Sequence, residues 1–178
     1  KRTDQQRVHA MSHPLRPDAL RTPDACFANL PGYDFSPHYL SDLPSLSGLR
    51  MHYLDVGPKD AALTYLCLHG NPAWSYLYRK MIPVFAAAGL RAIAVDLIGF
   101  GRSDKLTKAS HYSFANHIEW LRQLVVALDG AGEPTDASGL VFGGTATRIP
   151  GARPDIVAAF PLYPGVSSDG WGFMILSN

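Results

Sequence analysis

The chain has few cysteines, nearly balanced charge and no long apolar run. Its two cysteines, Cys26 and Cys67, are too few for a disulfide framework, so we expect both to be reduced, as in a cytoplasmic protein. Sixteen basic and fifteen acidic residues give a net charge of +1, which does not indicate a nucleic-acid partner. The uncharged apolar run at 81–90 is well short of the ~18 residues of a membrane span, so no membrane partner is expected.

What is present is the composition of one globular domain. Of the 178 residues, 47% are hydrophobic and 17% charged, which is too apolar for a disordered chain. Residues 1–10 are polar and contain no apolar core of a secretory signal. We interpret them as an upstream extension before a native start at Met11, with an ordinary disordered tail as the alternative. Residues 1–19 together form the expected N-terminal extension.

Buried strands alternate with helices along residues 20–129. The alternation that begins at Leu49 predicts a strand with one covered face. The apolar runs at 63–70 and 91–99 predict strands buried on both faces, which is typical of a parallel sheet. Between them we expect a helix capped by Ser75 and ended by Gly89, in which Pro83 either introduces a kink or starts the second half. A clearer helix, over 114–128 with Ser113 as N-cap, follows from the spacing of Phe114, Ile118, Leu121, Val125 and Leu128.

These elements predict an α/β fold with a mostly parallel sheet flanked by helices. Beyond Asp129 the pattern is weaker. Residues 139–144 are compatible with one more buried strand and a turn, and 152–165 with a helix end and a short strand. We treat 20–129 as the first half of a core and 130–178 as a divergent or truncated remainder.

The sequence HGNP at 69–72 lies between a predicted strand and a predicted helix. At such a place backbone N–H groups point out of the carboxyl end of a sheet and can stabilise an oxyanion. The amide of Asn71 could also bind an anion. The alternative is a plain turn in which His69 is a loop histidine with satisfied hydrogen bonds.

Other motifs give weaker signals. DLIGFGRSDK at 96–105 imitates a dinucleotide-binding loop, but Asp104 stands where the third glycine is needed. The pairs His9/His13 and His111/His117 lack the further convergent ligands of a metal site, so no metal is expected. No GxSxG nucleophile motif occurs; GVSSDG at 165–170 comes nearest.

Residues 20–129 resemble the N-terminal half of haloalkane dehalogenases of the α/β-hydrolase fold. The stretches that carry the resemblance are HGNPAWSYLYR and DLIGFGRSDK. It implies that an aspartate on a tight turn displaces halide from a haloalkane, and that a histidine-activated water hydrolyses the resulting ester to an alcohol. It implies no cofactor and a small halogenated alkane as substrate.

The resemblance also assigns roles to residues 69–72. Asn71 matches the position whose backbone N–H serves the oxyanion hole and whose side chain helps to hold halide, with Gly70 beside it. His69 and Pro72 match the residues that shape this loop. Epoxide hydrolases share the two loops less closely, so an epoxide hydrolase or an esterase remains an alternative.

The chain departs from the family at the nucleophile turn, where the family carries QDWGG and this sequence reads LVFGG at 140–144. When Gly143 and Gly144 are aligned with the two glycines, Val141 falls at the nucleophile position and Phe142 at the tryptophan position. Valine cannot form the ester, and a phenyl ring has no N–H for halide. Asp136 falls on the loop before the strand, at the wrong end of the sheet.

Further parts of the family's machinery are missing from the sequence. The seven histidines are at positions 9, 13, 38, 52, 69, 111 and 117, and none follows the nucleophile turn, where the base should stand. The cap domain and later strands are not found. We therefore expect an inactive chain, either a truncated or frame-shifted copy or a non-catalytic hydrolase-like protein. An unpaired edge on its last strand would favour self-association.

Overall fold

The computed structural model describes residues 15–61 and 64–129, together with two strands at 147–148 and 156–159. The α-helices are α1 (Ile82–Ala87) and α2 (Phe114–Asp129). Short 3₁₀ helices lie at Asp24–Phe27, Pro44–Leu46, Ser75–Tyr78 and Ala109–His111. The strands are β1 (Ala19–Leu20), β2 (His38–Leu40), β3 (Met51–Val56), β4 (Thr64–Leu68), β5 (Arg91–Asp96), β6 (Lys105–Leu106), β7 (Thr147–Arg148) and β8 (Ile156–Ala159).

Six of these strands form one sheet in the order β2-β3-β5-β4-β8-β7. β4 pairs in parallel with β5 and with β8, whereas the pairings β2–β3, β3–β5 and β7–β8 are antiparallel. The α/β prediction is thus confirmed, but the described sheet is mixed rather than mostly parallel. The alternation from Leu49 belongs to an antiparallel neighbour of β5, which strand periodicity alone does not distinguish from a parallel one.

Helices cover both faces of the sheet. On one face α2 packs Trp120, Leu121, Leu124 and Val125 onto buried side chains of β3, β4 and β5. On the other face the 3₁₀ helix at 75–78 and α1 pack Tyr78 and Ile82 against those strands. β4 and β5 are therefore apolar on both faces, as the runs at 63–70 and 91–99 predicted. The prediction of one covered face for β3 is wrong, because Met51 is buried on one face and Leu54 on the other.

The helix predicted after the HGNP sequence is divided in two. A 3₁₀ turn at Ser75–Tyr78 precedes α1, which carries Pro83 in its first turn, where a missing N–H costs nothing. The prediction of Ser75 as a side-chain cap is wrong, because no side-chain cap hydrogen bond is formed there and its hydroxyl bonds to Tyr33 instead. Gly89 follows α1 with φ +73°, as expected for a residue just past a helix.

The helix predicted over 114–128 is confirmed as α2. Its first turn is capped by Ser113, whose hydroxyl accepts the Asn116 N–H at 3.1 Å. The strand predicted at 139–144 lies outside the described residues, whereas the short strand predicted within 152–165 is confirmed as β8. Among the helices of the described ranges, none is long and apolar enough to cross a membrane.

The segment before β3 wraps around the core. β1 pairs with β6, and the Arg21 guanidinium donates to both carboxylate oxygens of buried Asp104 at 2.7 and 2.8 Å. The Asp104 carboxylate also accepts the Arg50 N–H at 2.8 Å. This carboxylate therefore ties the wrapping segment to the entry of β3. The division into 1–19, 20–129 and 130–178 stays a prediction.

Candidate anion-binding site

The HGNP sequence forms a tight turn at the carboxyl end of β4. The carbonyl of Gly70 accepts the Ala73 N–H at 2.8 Å, so Asn71 and Pro72 occupy the middle of the turn. Both are exposed, and the peptide bond between them is cis. Within the described part of the chain, nothing forms a hydrogen bond with Asn71. Asn71 is therefore exposed to solvent at the carboxyl end of the sheet, where the neighbouring strands β4 and β5 end.

His69 holds the first half of this turn from inside. It is 1% exposed, and its Nε2 accepts the Leu97 N–H at 3.0 Å. Because that nitrogen is an acceptor, the ring proton is on Nδ1, which donates to the Gly70 carbonyl at 3.0 Å. Burial lowers the pKa of His69, which keeps this neutral tautomer. His69 is thus a fully bonded structural histidine rather than a base that faces the solvent.

The second half of the turn is held by the carboxylate of Asp96, the last residue of β5. Its Oδ1 accepts the Ser75 N–H at 2.7 Å. Its Oδ2 accepts the Arg102 N–H and the Nδ1 hydrogen of His52, both at 2.8 Å. Three donors thus converge on one fully buried carboxylate.

Burial by itself raises the pKa of Asp96, but hydrogen bonding and the charge interaction with His52 outweigh it, and the pKa is lowered overall. The carboxylate is therefore ionised near neutrality, and charge-assisted hydrogen bonds to it are stronger than neutral ones. His52 lies opposite Asp96 in the β3–β5 register. Its Nε2 has no hydrogen-bond partner within the described structure.

Aromatic side chains pack around the far side of the turn. The Tyr33 hydroxyl bonds to the Ser75 hydroxyl, and the Tyr78 hydroxyl donates to the Leu68 carbonyl at the end of β4. Trp74 packs edge-on against Phe27 and Tyr33, with ring centroids 5.3 and 5.2 Å apart. The far side of the turn is therefore packed against aromatic rings, and the hydroxyl groups of the two tyrosines among them are hydrogen-bonded.

The glycine loop at 99–103 encloses the Asp96 carboxylate. Gly101 has φ +46°, and a β-carbon there would lie 2.2 Å from Asp96 Oδ2. The Ser103 hydroxyl donates to the Asp96 carbonyl and accepts the His52 N–H. The Arg102 N–H of this loop donates to the same carboxylate, so the loop is folded around the chain's own anion.

The structure brings four of the predicted site residues together: His69, Gly70, Asn71 and Pro72. The predicted nucleophile turn, with Val141, Phe142, Gly143 and Gly144, lies outside the described residues, as does Asp136. The described ranges include His111 and His117 and contain no cluster of three or more metal-ligating side chains.

Sequence reasoning missed Asp96 and His52. A signal for Asp96 was available, because it is a charged residue that ends an otherwise apolar buried strand directly before a glycine-rich loop. Buried charges are rare unless they are paired. His52 alternates with Leu49 and Met51 and so falls on the uncovered face of the predicted strand; nothing in the pattern indicated that it is buried.

Comparisons with known proteins agree with this geometry. Residues 66–145 match a family model described as alpha/beta hydrolase fold. Over 111 residues the chain is 56% identical to a haloalkane dehalogenase of Psychrobacter cryohalolentis. The chain carries part of an α/β-hydrolase fold and is similar to haloalkane dehalogenases. The resemblance stated from the sequence is thereby confirmed.

The matched region is a limited part of each relative. The Psychrobacter match covers 62% of this chain and 36% of that protein. A haloalkane dehalogenase of Mycobacterium marinum is 54% identical over 59% of this chain and 35% of its own length. The solved tetrameric haloalkane dehalogenase DpaA of Paraglaciecola agarilytica superposes with a TM-score of 0.61 at 55% identity, over 62% of this chain and 37% of that one. The chain thus spans about a third of the length of these relatives.

Proposed function

We propose that this sequence derives from a hydrolase that cleaves carbon–halogen bonds of small haloalkanes, and that the turn at 69–72 is its halide- and oxyanion-binding element. In this reaction type a carboxylate oxygen attacks the halogen-bearing carbon, the carbon–halogen bond breaks, and halide leaves. Water then cleaves the ester to release the alcohol. The turn's task is to stabilise the negative charge that develops on the departing halide and on the ester oxygen.

The position of Asn71 carries the proposal. Asn71 is exposed in a turn that is anchored on both sides. His69 holds one side, and Asp96 holds the other through the Ser75 N–H. A donor held in this way needs no reorganisation when charge appears, which is the condition for effective electrostatic stabilisation. The identity of 56% over this region to a haloalkane dehalogenase supports halide as the anion.

We further propose that the 178 residues do not complete the reaction by themselves. Val141 stands at the aligned nucleophile position and has no lone pair with which to form an ester. Phe142 offers no N–H to the halide. In addition, no histidine occurs after His117 to activate water. On this proposal the chain keeps the anion-binding turn but lacks the nucleophile, the second halide donor and the base.

A reducing compartment is proposed from the cysteines. Cys67 is buried and Cys26 is exposed, and both are free thiols. Burial raises the pKa of Cys67 to about 12, so this thiol stays protonated and inert. A chain whose thiols are free is suited to the cytoplasm.

Bromide titration of the full chain labelled with ¹⁵N-asparagine tests the binding proposal. The sequence contains four asparagines, at 29, 71, 116 and 178, so the spectrum is simple to assign. We expect the Asn71 backbone N–H signal to move with bromide in a saturable way, whereas Asn29 and Asn116 do not move. A sodium sulfate titration of equal ionic strength is the control. No saturable movement of Asn71 would overturn the proposal.

A further inference from the structure

We infer that Asp96 is the positioning residue of the anion-binding turn: its carboxylate fixes the direction of the Asn71 N–H through Ser75. The inference rests on the proposed function of the turn. Asp96 does not touch the anion; it acts through the backbone of the residues that follow Asn71. On the same inference, the glycine loop at 99–103 serves to hold the Asp96 carboxylate in place.

The two anchors of the turn both come from the end of β5. Leu97 donates its N–H to His69, which in turn holds the Gly70 carbonyl. The adjacent residue, Asp96, holds the Ser75 N–H. Asn71 lies between these anchored points, so the last residue of β5 and the residue directly after it fix the entry and the exit of the turn. Loss of either anchor leaves one side of the turn free to rotate.

The carboxylate is itself held by groups that leave it one orientation. His52 Nδ1 and the Arg102 N–H both point at Oδ2, so Oδ1 is turned toward Ser75. Gly101 permits this arrangement because any side chain there would meet the carboxylate, whose two oxygens lie 2.2 and 2.9 Å from the place of a β-carbon. The loop therefore sets the angle at which Asp96 reaches the turn.

An amide of the same size cannot replace this carboxylate. Asparagine has one acceptor oxygen and an NH₂ donor, whereas three donors converge here. Two of the three are on the Oδ2 side, so the amide oxygen should face them and its NH₂ should face the Ser75 N–H. Two donors then oppose each other at Ser75, and the exit of the turn is released.

Asp104 provides a matched control for burial and charge. Like Asp96 it is fully buried and accepts three hydrogen bonds, in its case from the Arg21 guanidinium and the Arg50 N–H. None of these donors belongs to the turn. Asp104→Asn therefore perturbs a comparable buried carboxylate without touching the anchors of Asn71.

The test is the bromide titration of ¹⁵N-asparagine-labelled full chain, carried out on the wild type, Asp96→Asn and Asp104→Asn, with circular dichroism to verify folding. We expect Asp96→Asn to weaken bromide binding at Asn71 by about tenfold or more and to move the Asn71 signal even without bromide. Asp104→Asn should leave the Asn71 signal and its affinity within about twofold of wild type.

A second pair of variants covers the case in which Asp96→Asn does not fold. Gly101→Ala removes no polar group but pushes a methyl group into the carboxylate, and it should move the Asn71 signal in the same way. Gly89→Ala is its control, since Gly89 also has a positive φ, of 73°, but no atom lies within 4 Å of the added carbon.

The outcomes separate the two proposals. If wild type binds bromide at Asn71 and Asp96→Asn or Gly101→Ala binds it equally well, the positioning role is overturned and the function stands. If wild type does not respond to bromide, the function is overturned. The positioning role is then decided by the bromide-free spectra: an Asn71 signal unmoved by Asp96→Asn and Gly101→Ala, or moved equally by the controls, rejects it.

Discussion

The Nδ1 atom of His52 lies 2.8 Å from Oδ2 of Asp96, and both side chains are fully buried. The two residues are direct neighbours in the register of antiparallel β3 and β5, so the sheet itself brings them together. A buried charge without its partners is strongly unfavourable. This pairing therefore ties the stability of the sheet to the ionisation of one carboxylate.

Asp96→Asn should lower the free energy of unfolding by about 3–5 kcal/mol at pH 7. Because the folded-state pKa of Asp96 is lowered, its stabilisation is complete above the unfolded pKa of about 3.9 and is lost as the pH falls toward the folded value. The difference between wild type and variant should therefore shrink below about pH 4. Urea denaturation from pH 7 to pH 3 measures it, and a difference that is constant with pH would contradict the assignment.

His69→Gln should make the stability of the chain less dependent on pH between 7 and 5. Burial lowers the folded pKa of His69, so its contribution is present above the unfolded value of about 6.5 and falls as the solution is acidified. Glutamine does not titrate and can still accept the Leu97 N–H. The dependence should decrease without vanishing, since burial also lowers the pKa of His117. Urea midpoints at pH 5, 6 and 7 are the measurement; an unchanged dependence would reject the role of His69.

Gly57→Ala should destabilise the chain far more than Gly89→Ala. Gly57 directly follows β3 with φ +103°, and a β-carbon there would lie 2.3 Å from the Leu90 carbonyl oxygen, a backbone atom that cannot rotate away. Gly89 has a positive φ but open space, so its substitution should cost only about 1 kcal/mol. Thermal unfolding of both variants tests the difference, and equal melting temperatures would show that the Leu90 contact is relieved elsewhere.

The wild-type chain should release no halide from 1,2-dibromoethane or 1-chlorobutane above the buffer rate. Val141→Asp should not restore turnover, because a base for the hydrolytic step is still lacking. It can at most form an alkyl ester that persists, which intact-mass spectrometry would detect as a fixed adduct. Bromide release that depends on the wild-type chain and disappears on substitution of one of its residues would refute the hypothesis that the chain is inactive.

We expect the chain expressed alone to self-associate. Its described sheet ends in β2 on one side and β7 on the other, and the N–H and C=O groups of edge strands invite pairing with another chain. Val84 of α1 is 66% exposed, and Met81, directly before α1, is 38% exposed, which adds apolar surface. Light scattering on the purified chain should give masses above the 19.4 kDa of a monomer. A sharp monomer peak with a single cooperative thermal transition would contradict this.

The sequence predicted the parts of the fold that follow from local periodicity. The strands β4 and β5, the helix α2 and the Ser113 cap depend on neighbouring residues, and their patterns were clear. The Ser75 cap was wrong because its hydroxyl bonds to Tyr33, 42 residues away, and local cap preferences contain no such partner. The antiparallel position of β3 next to β5 was missed for the same reason, since it depends on how distant segments pair.

The exposed turn of the candidate site was predicted from the sequence, but the buried residues that hold it, Asp96 and His52, were not. The turn at 69–72 could be located because its spacing between a strand and a helix is a local feature. The glycine loop could be rejected as a cofactor site from Asp104, but nothing local showed that the Asp96 carboxylate occupies it. Such a partner is found only when the backbone N–H groups of the loop are traced to their acceptors.

The contact between Gly101 and Asp96 restricts how this region can be re-engineered. The loop at 99–103 cannot be transplanted into another scaffold as an independent module, because its shape is complementary to a carboxylate supplied by the preceding strand. A graft must carry residue 96 with it, and a library that varies residue 101 must vary residue 96 in the same clone. Substitutions at these two positions should therefore show strong epistasis, with each tolerated only in particular combinations.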